Sequence, residues 1–284
     1  MASIRDIKNH KESIQNTQQI TKAMELVATV KLQRARNRAE QSKPYSEYMY
    51  KAVATMIAMS GDIIHHYLTA IESRKKAVIM ITANRGLAGG YNMHLTKKII
   101  NSHLAKEDVY LYAVGRKGKE YMERRGYEIK GDYSEVINEP MYKDAAEISR
   151  AVLEAFVDGE VGEIYLAYTS FQNTVSHEPI LRRILPVIVE TDVDYSDRRF
   201  RMNYEPKQAE ALHMIVPQYI TSLIYDALVE SVASENAARM QAMDSATNNA
   251  EEMIENLSLK YNRARQGSIT QELTEIIAGA NAIS

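Results

Sequence analysis

The chain lacks cysteine, so disulfides, thiolate chemistry and cysteine-ligated metals are excluded. The missing disulfides fit a reducing compartment. It also lacks tryptophan and has 3 phenylalanines, against 18 tyrosines and 14 methionines. Its aromatic and soft contacts are therefore adaptable and partly polar. No stretch reaches about 18 uncharged apolar residues, so no segment is expected to span a bilayer. The N-terminus opens Met1-Ala-Ser-Ile-Arg-Asp6, without the apolar core of a signal peptide. Net charge is −2, so bulk electrostatics give no case for nucleic acid or an anionic membrane. With 45% hydrophobic and 25% charged residues over 284, the remaining expectation is globular folding in one or two domains.

Helix breakers are scarce where it matters most. From Lys207 to Ser284 the only proline is Pro217 and the only glycines are Gly267 and Gly279. A single helix of that span would be about 110 Å long, when an ordinary helix has about 11–12 residues. Such a helix must pair with another long helix or be enclosed by a partner. Its apolar stripe runs through Leu212, Val216, Tyr219, Leu223, Leu228 and Val232. An alanine-rich stretch follows, then Met253, Leu257, Tyr261, Ala264 and Ile269. Small side chains let helices approach closely, so the coiled-coil seam is placed at Ala238, Ala242 and Ala246.

The N-terminal segment reads as its partner. Ser3 and Asp6 form the outline of a capping box. Ile4, Ile7, Ile14, Thr21, Ala28, Leu32, Ala35 and Ala39 fall on 3-4 spacing, with Lys11, Gln18 and Glu25 on the same seam. Pro44 removes a helical hydrogen bond and predicts a kink, and Gly61-Asp62 predicts the end. Helices at opposite ends of the chain imply an antiparallel hairpin.

The middle changes period. Lys76–Thr82 is a continuous apolar run suited to a strand buried on both faces. Strands are predicted at 109–114, 163–169 and 180–189, with helices near 91–105, 116–125 and 143–157. This alternation implies a Rossmann-like α/β domain with a mainly parallel sheet. The expected domains are 1–60 for the first coiled-coil helix, 74–195 for the α/β domain and 207–284 for the second helix, with a charged linker at about 190–206.

Catalytic motifs are hard to find. Asn84-Arg-Gly-Leu-Ala-Gly-Gly90 lies where a phosphate loop would sit, but departs from G-x-G-x-x-G and lacks a following Lys-Ser/Thr. It reads as a tight turn for close strand–helix packing. The seven histidines are scattered, and His65-His66 on a helix would point about 100° apart, so no metal site is expected. There is no Ser/His/Asp context. Lys31, Arg34, Arg36 and Arg38 form a basic run better suited to an acidic protein surface than to nucleic acid. The polar stretch 262–273 is either frayed or enclosed by partner protein.

Four segments carry a resemblance: Ile20-Thr-Lys-Ala-Met-Glu-Leu-Val-Ala28, Thr82-Ala-Asn-Arg-Gly-Leu-Ala-Gly-Gly-Tyr-Asn92, Ser234-Glu-Asn-Ala-Ala-Arg-Met-Gln-Ala-Met243 and Arg265-Gln-Gly-Ser-Ile-Thr-Gln-Glu-Leu273. In order and over the whole chain, they resemble the gamma subunit of the F-type rotary ATP synthase. Ala83-Asn84 stand where that family often has Ser-Asp, and Ala88 where it often has Cys. The cysteine insertion of chloroplast members is absent, so thiol control is not expected.

The resemblance implies a rotor shaft inside a hexamer of alternating alpha and beta subunits, with catalysis in the beta subunits and no cofactor on this chain. It implies that Lys22, Met24, Lys31, Arg34 and Arg38 face acidic loops of the beta subunits. Arg265, Gln266, Thr270 and Glu272 would make polar contacts higher in the head. The last residues would sit in an apolar sleeve. The α/β domain would meet the epsilon subunit and the membrane c-ring, placing the chain peripherally at the cytoplasmic face of the cell membrane in bacteria. From the residues alone, a Rossmann-like nucleotide-binding enzyme with coiled-coil extensions and a homodimeric scaffold stay open. Nucleotide binding or a stable isolated dimer would distinguish them.

Overall fold

The computed structural model describes residues 4–59, 65–69, 72–188 and 208–283. Ser3, Gly61-Asp62 and the 190–206 linker, all read from the sequence above, lie outside the described residues. The elements in order are α1 (Ile4–Met59), β1 (Lys76–Ile81), α2 (Tyr91–Ile100), β2 (Val109–Val114), α3 (Arg116–Glu123), β3 (Glu128–Asp132), α4 (Tyr142–Val157), β4 (Glu163–Phe171), β5 (His177–Leu185) and α5 (Gln208–Ile283). The helix α1 continues through Pro44 and α5 through Pro217. The chain divides into two compact units, Met1–Ala28 with Arg239–Ser284, and Thr29–Ala238.

The first unit is an antiparallel coiled coil. Every predicted seam position of α1 from Ile4 to Ala28 is buried or half-buried, and, apart from Met24, the positions between them are exposed. Thr21 and Thr247 meet across the pair, Oγ1 to Oγ1 at 2.8 Å. Their hydroxyls also reach the carbonyls of Gln18 and Met243. With Thr21 across from Thr247, antiparallel geometry carries Gln18 across from Ala250, Ile14 from Ile254 and Ile7 from Tyr261.

On α5 the buried line is Met243, Thr247 and Ala250, continuing half-buried through Ile254, Leu257, Tyr261, Ala264 and Ser268. This corrects the expected seam. Ala242 and Ala246 flank it half-buried, Ala238 belongs to the other unit, and Met253 and Ile269 are exposed. The physical reason is that alanine runs carry no phase of their own. The larger Met243 and the bonded Thr247 set it.

The second unit holds a five-stranded sheet in the order β3-β2-β1-β4-β5. β1, β2, β3 and β4 pair in parallel and β5 is antiparallel to β4. β1 alternates between two cores. Ala77, Ile79 and Ile81 join Ile148, Val152 and Phe156 of α4 and Leu212, Val216, Ile220 and Leu228 of α5. Val78 and Met80 join Leu95 and Ile99 of α2 and Met122 of α3. A strand covered on both faces needs a continuous apolar run, as the sequence has. β3 escapes sequence reading because its Glu-Ile-Lys-Gly-Asp sequence has one apolar residue, on an edge whose charges discourage further pairing.

The seam can be tested. Ala250→Leu should overpack it and destabilise by about 1–3 kcal/mol. Glu251→Ala on the exposed face should stay within about 0.5 kcal/mol. Ala242→Leu should fall between them. Urea unfolding followed by helical circular dichroism reads the order, and a cost for Ala242→Leu exceeding that of Ala250→Leu would contradict this seam.

Candidate functional site

Three places in the molecule could carry function: the crest of the sheet, a polar cleft beside it and the exposed faces of the long helices.

In doubly wound sheets ligands bind outside the C-terminal strand ends, where the strand order reverses. Here that point lies between β1 and β4. The loop after β1 is committed to protein contacts. The Asn92 side chain accepts the Ala83 amide at 2.8 Å, and Asn84 accepts the Arg116 amide at 2.8 Å while donating to the Ser134 carbonyl at 2.7 Å. Gly89 takes a left-handed φ of 54°, which suits glycine. Gly115, at φ 100°, has its missing Cβ 2.0 Å from the Thr82 carbonyl oxygen, so no side chain fits there.

Small residues of α5 then fill the crest. Ala238 packs with Ala83, Ala88 and Tyr91. The Tyr91 hydroxyl donates to the Ser231 carbonyl at 3.2 Å, and Ser234 donates to the Thr169 carbonyl at 3.0 Å. The Gly-rich segment is thus a packing turn against a helix.

Beside the sheet a cleft of about 610 Å³ is lined by Arg36, Lys43, Tyr168, Arg182, Asp226 and Glu230 among others. Burial holds the Asp226 carboxyl above the usual carboxylate range, opposed by Ser46 and Ser42. Burial likewise raises Glu230, opposed by Ser170 and the Phe171 backbone. Burial also pushes the Tyr168 phenol up to about 12. Among the described residues no nucleophile–base pair is formed in this cleft.

The helix faces present the remaining expected residues. Lys22, Lys31, Arg34, Arg38, Arg265, Gln266, Thr270 and Glu272 are exposed and Met24 is half-buried. Lys22 pairs with Glu25 at 3.3 Å, and Arg38 pairs with Glu139 at 3.1 Å. Lys31 and Arg34 have no ion pair among the described residues. They lie with exposed Ile20, Val27 and Val30 on the same helix. Beyond Ser268 every α5 side chain described is exposed, including Ile269, Leu273, Ile276 and Ile277. In the same register the first described residue of α1, Ile4, lies across from Ala264.

The described residues thus combine a two-helix seam, a sheet crest packed by α5 and exposed apolar side chains near the end of α5. A family model described as ATP synthase matches residues 3–283. The chain is 65% identical over 291 residues to the ATP synthase gamma chain of Lachnoclostridium phytofermentans, covering 100% of both. The chain belongs to the ATP synthase gamma-chain family.

A sodium ion specific gamma chain from Acetobacterium woodii is 38% identical over 300 residues, with 99% of each covered. In fold, the gamma-family chain matches one from the mitochondrial ATP synthase of Euglena gracilis, solved as OSCP, F1 and c-ring, with a TM-score of 0.71 at 17% identity. That match covers 99% of this chain and 94% of the other. A chain from the Tetrahymena thermophila mitochondrial ATP synthase, in a structure of the central stalk and c-ring, matches with a TM-score of 0.60 at 22% identity. It covers 80% of this chain and 99% of that one. Among the described residues no helix is long and apolar enough to cross a membrane.

One histidine cluster escaped the sequence reading. His65 and His66 stand in a turn, not a helix, and His213 of α5 joins them. The third residue is remote in sequence, so no spacing motif marks it.

The raised carboxyls predict a pH dependence. An acid whose folded pKa is raised binds its proton more tightly in the folded state. Its contribution therefore falls as pH rises from the ordinary carboxylate range through the folded value. Asp226→Asn should remove part of that fall and raise stability at neutral pH relative to the parent chain. Urea midpoints measured between acidic and neutral pH check it; an unchanged slope would contradict the role of burial.

Proposed function

We propose that this chain is the central shaft of a rotary ATP synthase, coupling ion-driven rotation of a membrane ring to sequential conformational changes in an alpha/beta hexamer. The carrying observation is the exposed end of α5. Apolar Ile269, Leu273 and Ile276 recur on one face beyond the end of the coiled-coil seam. An exposed apolar stripe of this kind marks a surface for a partner. The gamma-family membership supports the alpha/beta head as that partner.

On this reading the shaft does no bond chemistry. Each angle of an asymmetric two-helix shaft favours a different state of the surrounding catalytic sites through differential contact energy. Lys31 and Arg34 meet acidic loops of the beta subunits. Arg38 divides its charge between those loops and its own Glu139. Arg265, Gln266, Thr270 and Glu272 supply polar contacts higher in the head. The α/β domain meets the epsilon subunit and the c-ring, which holds the chain at the cytoplasmic face of the membrane without insertion. The filled crest disfavours the nucleotide-binding alternative, because Ala238 and Tyr91 take up the crevice.

Co-purification with tagged alpha and beta subunits tests the reading. Leu273→Asp with Ile276→Asp should sharply reduce capture, and Glu251→Ala should not; capture unaffected by the double replacement would overturn it.

Torque should depend on Lys31 and Arg34 together. An exposed ion pair contributes about 0–1 kcal/mol, so single alanine replacements should be mild. The double replacement should lower single-molecule torque more than assembly yield. Calorimetry of the isolated chain with ATP and Mg²⁺ should give no micromolar binding.

A further inference from the structure

The turn His65–Thr69 is held by several hydrogen bonds. The His65 carbonyl accepts the amides of Leu68 at 2.8 Å and Thr69 at 3.1 Å, and the Thr69 hydroxyl at 2.8 Å. The Val187 amide donates to the Tyr67 carbonyl at 3.0 Å, tying the turn to the chain after β5. His213 comes from α5, one residue beyond the core residue Leu212. The imidazoles of His65 and His66 stack at 4.3 Å, and that of His213 stands 5.5 Å from His66 and 6.3 Å from His65. Tyr67 walls the group, its ring nearly parallel to that of His213 at an interplanar angle of 9°. One ligand nitrogen of each histidine lies within 4.8 Å of the other two.

We propose that His65, His66 and His213 form a binding site for a divalent transition metal of the zinc class. Three neutral imidazoles with a fourth position open to water are a donor set for such ions, not for hard cations that take oxygen ligands. Zinc–nitrogen bonds of about 2.0–2.1 Å bring tetrahedral ligand nitrogens to about 3.3 Å from one another. The nitrogens, within 4.8 Å, therefore close by at most about 1.5 Å, a small adjustment for exposed His213. Neither His66 nor His213 has a hydrogen-bond partner among the described residues. His65 Nδ1 accepts the Tyr67 amide at 3.3 Å. Metal binding exchanges that long bond for a metal bond, whichever ring nitrogen ligates. The chemistry is imidazole replacing water on the ion, with no redox step. The ion clamps the turn after α1 to the start of the packed part of α5, within the unit that holds the sheet. Ligands far apart in sequence cannot chelate once the chain unfolds, so binding stabilises the fold.

Titration of the full chain with zinc chloride in a calorimeter tests the site. One ion per chain should bind, and thermal unfolding should shift upward with zinc and not with magnesium. His213→Gln and His66→Gln should each weaken binding by at least about tenfold, the smallest loss seen when even an outer-shell partner is removed. His103→Gln, outside the cluster, should leave it unchanged. Because His213 is exposed, His213→Gln retains the fold, and it decides the question if His66→Gln does not. Absence of zinc binding, or binding of unchanged affinity in the His213 variant, would overturn the proposal.

Discussion

The structure depends on how closely α5 can approach its neighbours. Between Ser231 and Ala238 it presents Ser231, Ala233, Ser234, Ala237 and Ala238, all buried. With side chains this small, the helix backbone reaches the strand ends, and Ser231 and Ser234 bond directly to Tyr91 and to Thr169. A larger residue at Ala238 would meet Ala83, Ala88 and Tyr91. The overpacking would cost about 1–3 kcal/mol, and in relieving it the crest would open where this fold elsewhere accepts a ligand. The same residues therefore join α5 to the crest of the sheet by packing and by hydrogen bonds.

α5 changes environment along its length, and its burial follows. From Leu212 to Ala238 it is covered on most sides, so its pattern is broad. From Met243 to Ser268 it follows a heptad against α1. Beyond that it has an apolar face and no cover. One helix thus serves as a core element, as half of a coiled coil and as an isolated tip. A single amphipathic description of all 76 residues fits none of the three.

What the sequence reveals follows from where phase is written. The α1 seam is legible because isoleucines and a leucine alternate with charged residues at heptad spacing. β1 and β2 are legible because strands buried on both faces are continuous apolar runs. The α5 seam reads one position away because alanines at 237, 238, 242, 246 and 250 satisfy several phases, and the hydroxyl of Thr247 decides among them. β3 is silent because edge strands are charged. The histidine cluster is silent because His213 is remote along the chain from the adjacent His65 and His66 and meets them only through the tertiary fold. The identity of the family is legible because four local motifs, not the fold, carry it.

The polar seam has a consequence of its own. Lys11, Gln18, Thr21, Glu25 and Thr247 interrupt a line that leucine would stabilise further. Polar seam residues lower stability but single out one register, since a slip would part the Thr21–Thr247 contact and bury their hydroxyls against apolar neighbours. Under the proposed function, the pair must resist sliding of one helix along the other more than it must maximise stability. Leucines at these positions would strengthen the pair in several registers alike, and the half-buried side chains of Gln18 and Glu25 weight the choice towards one.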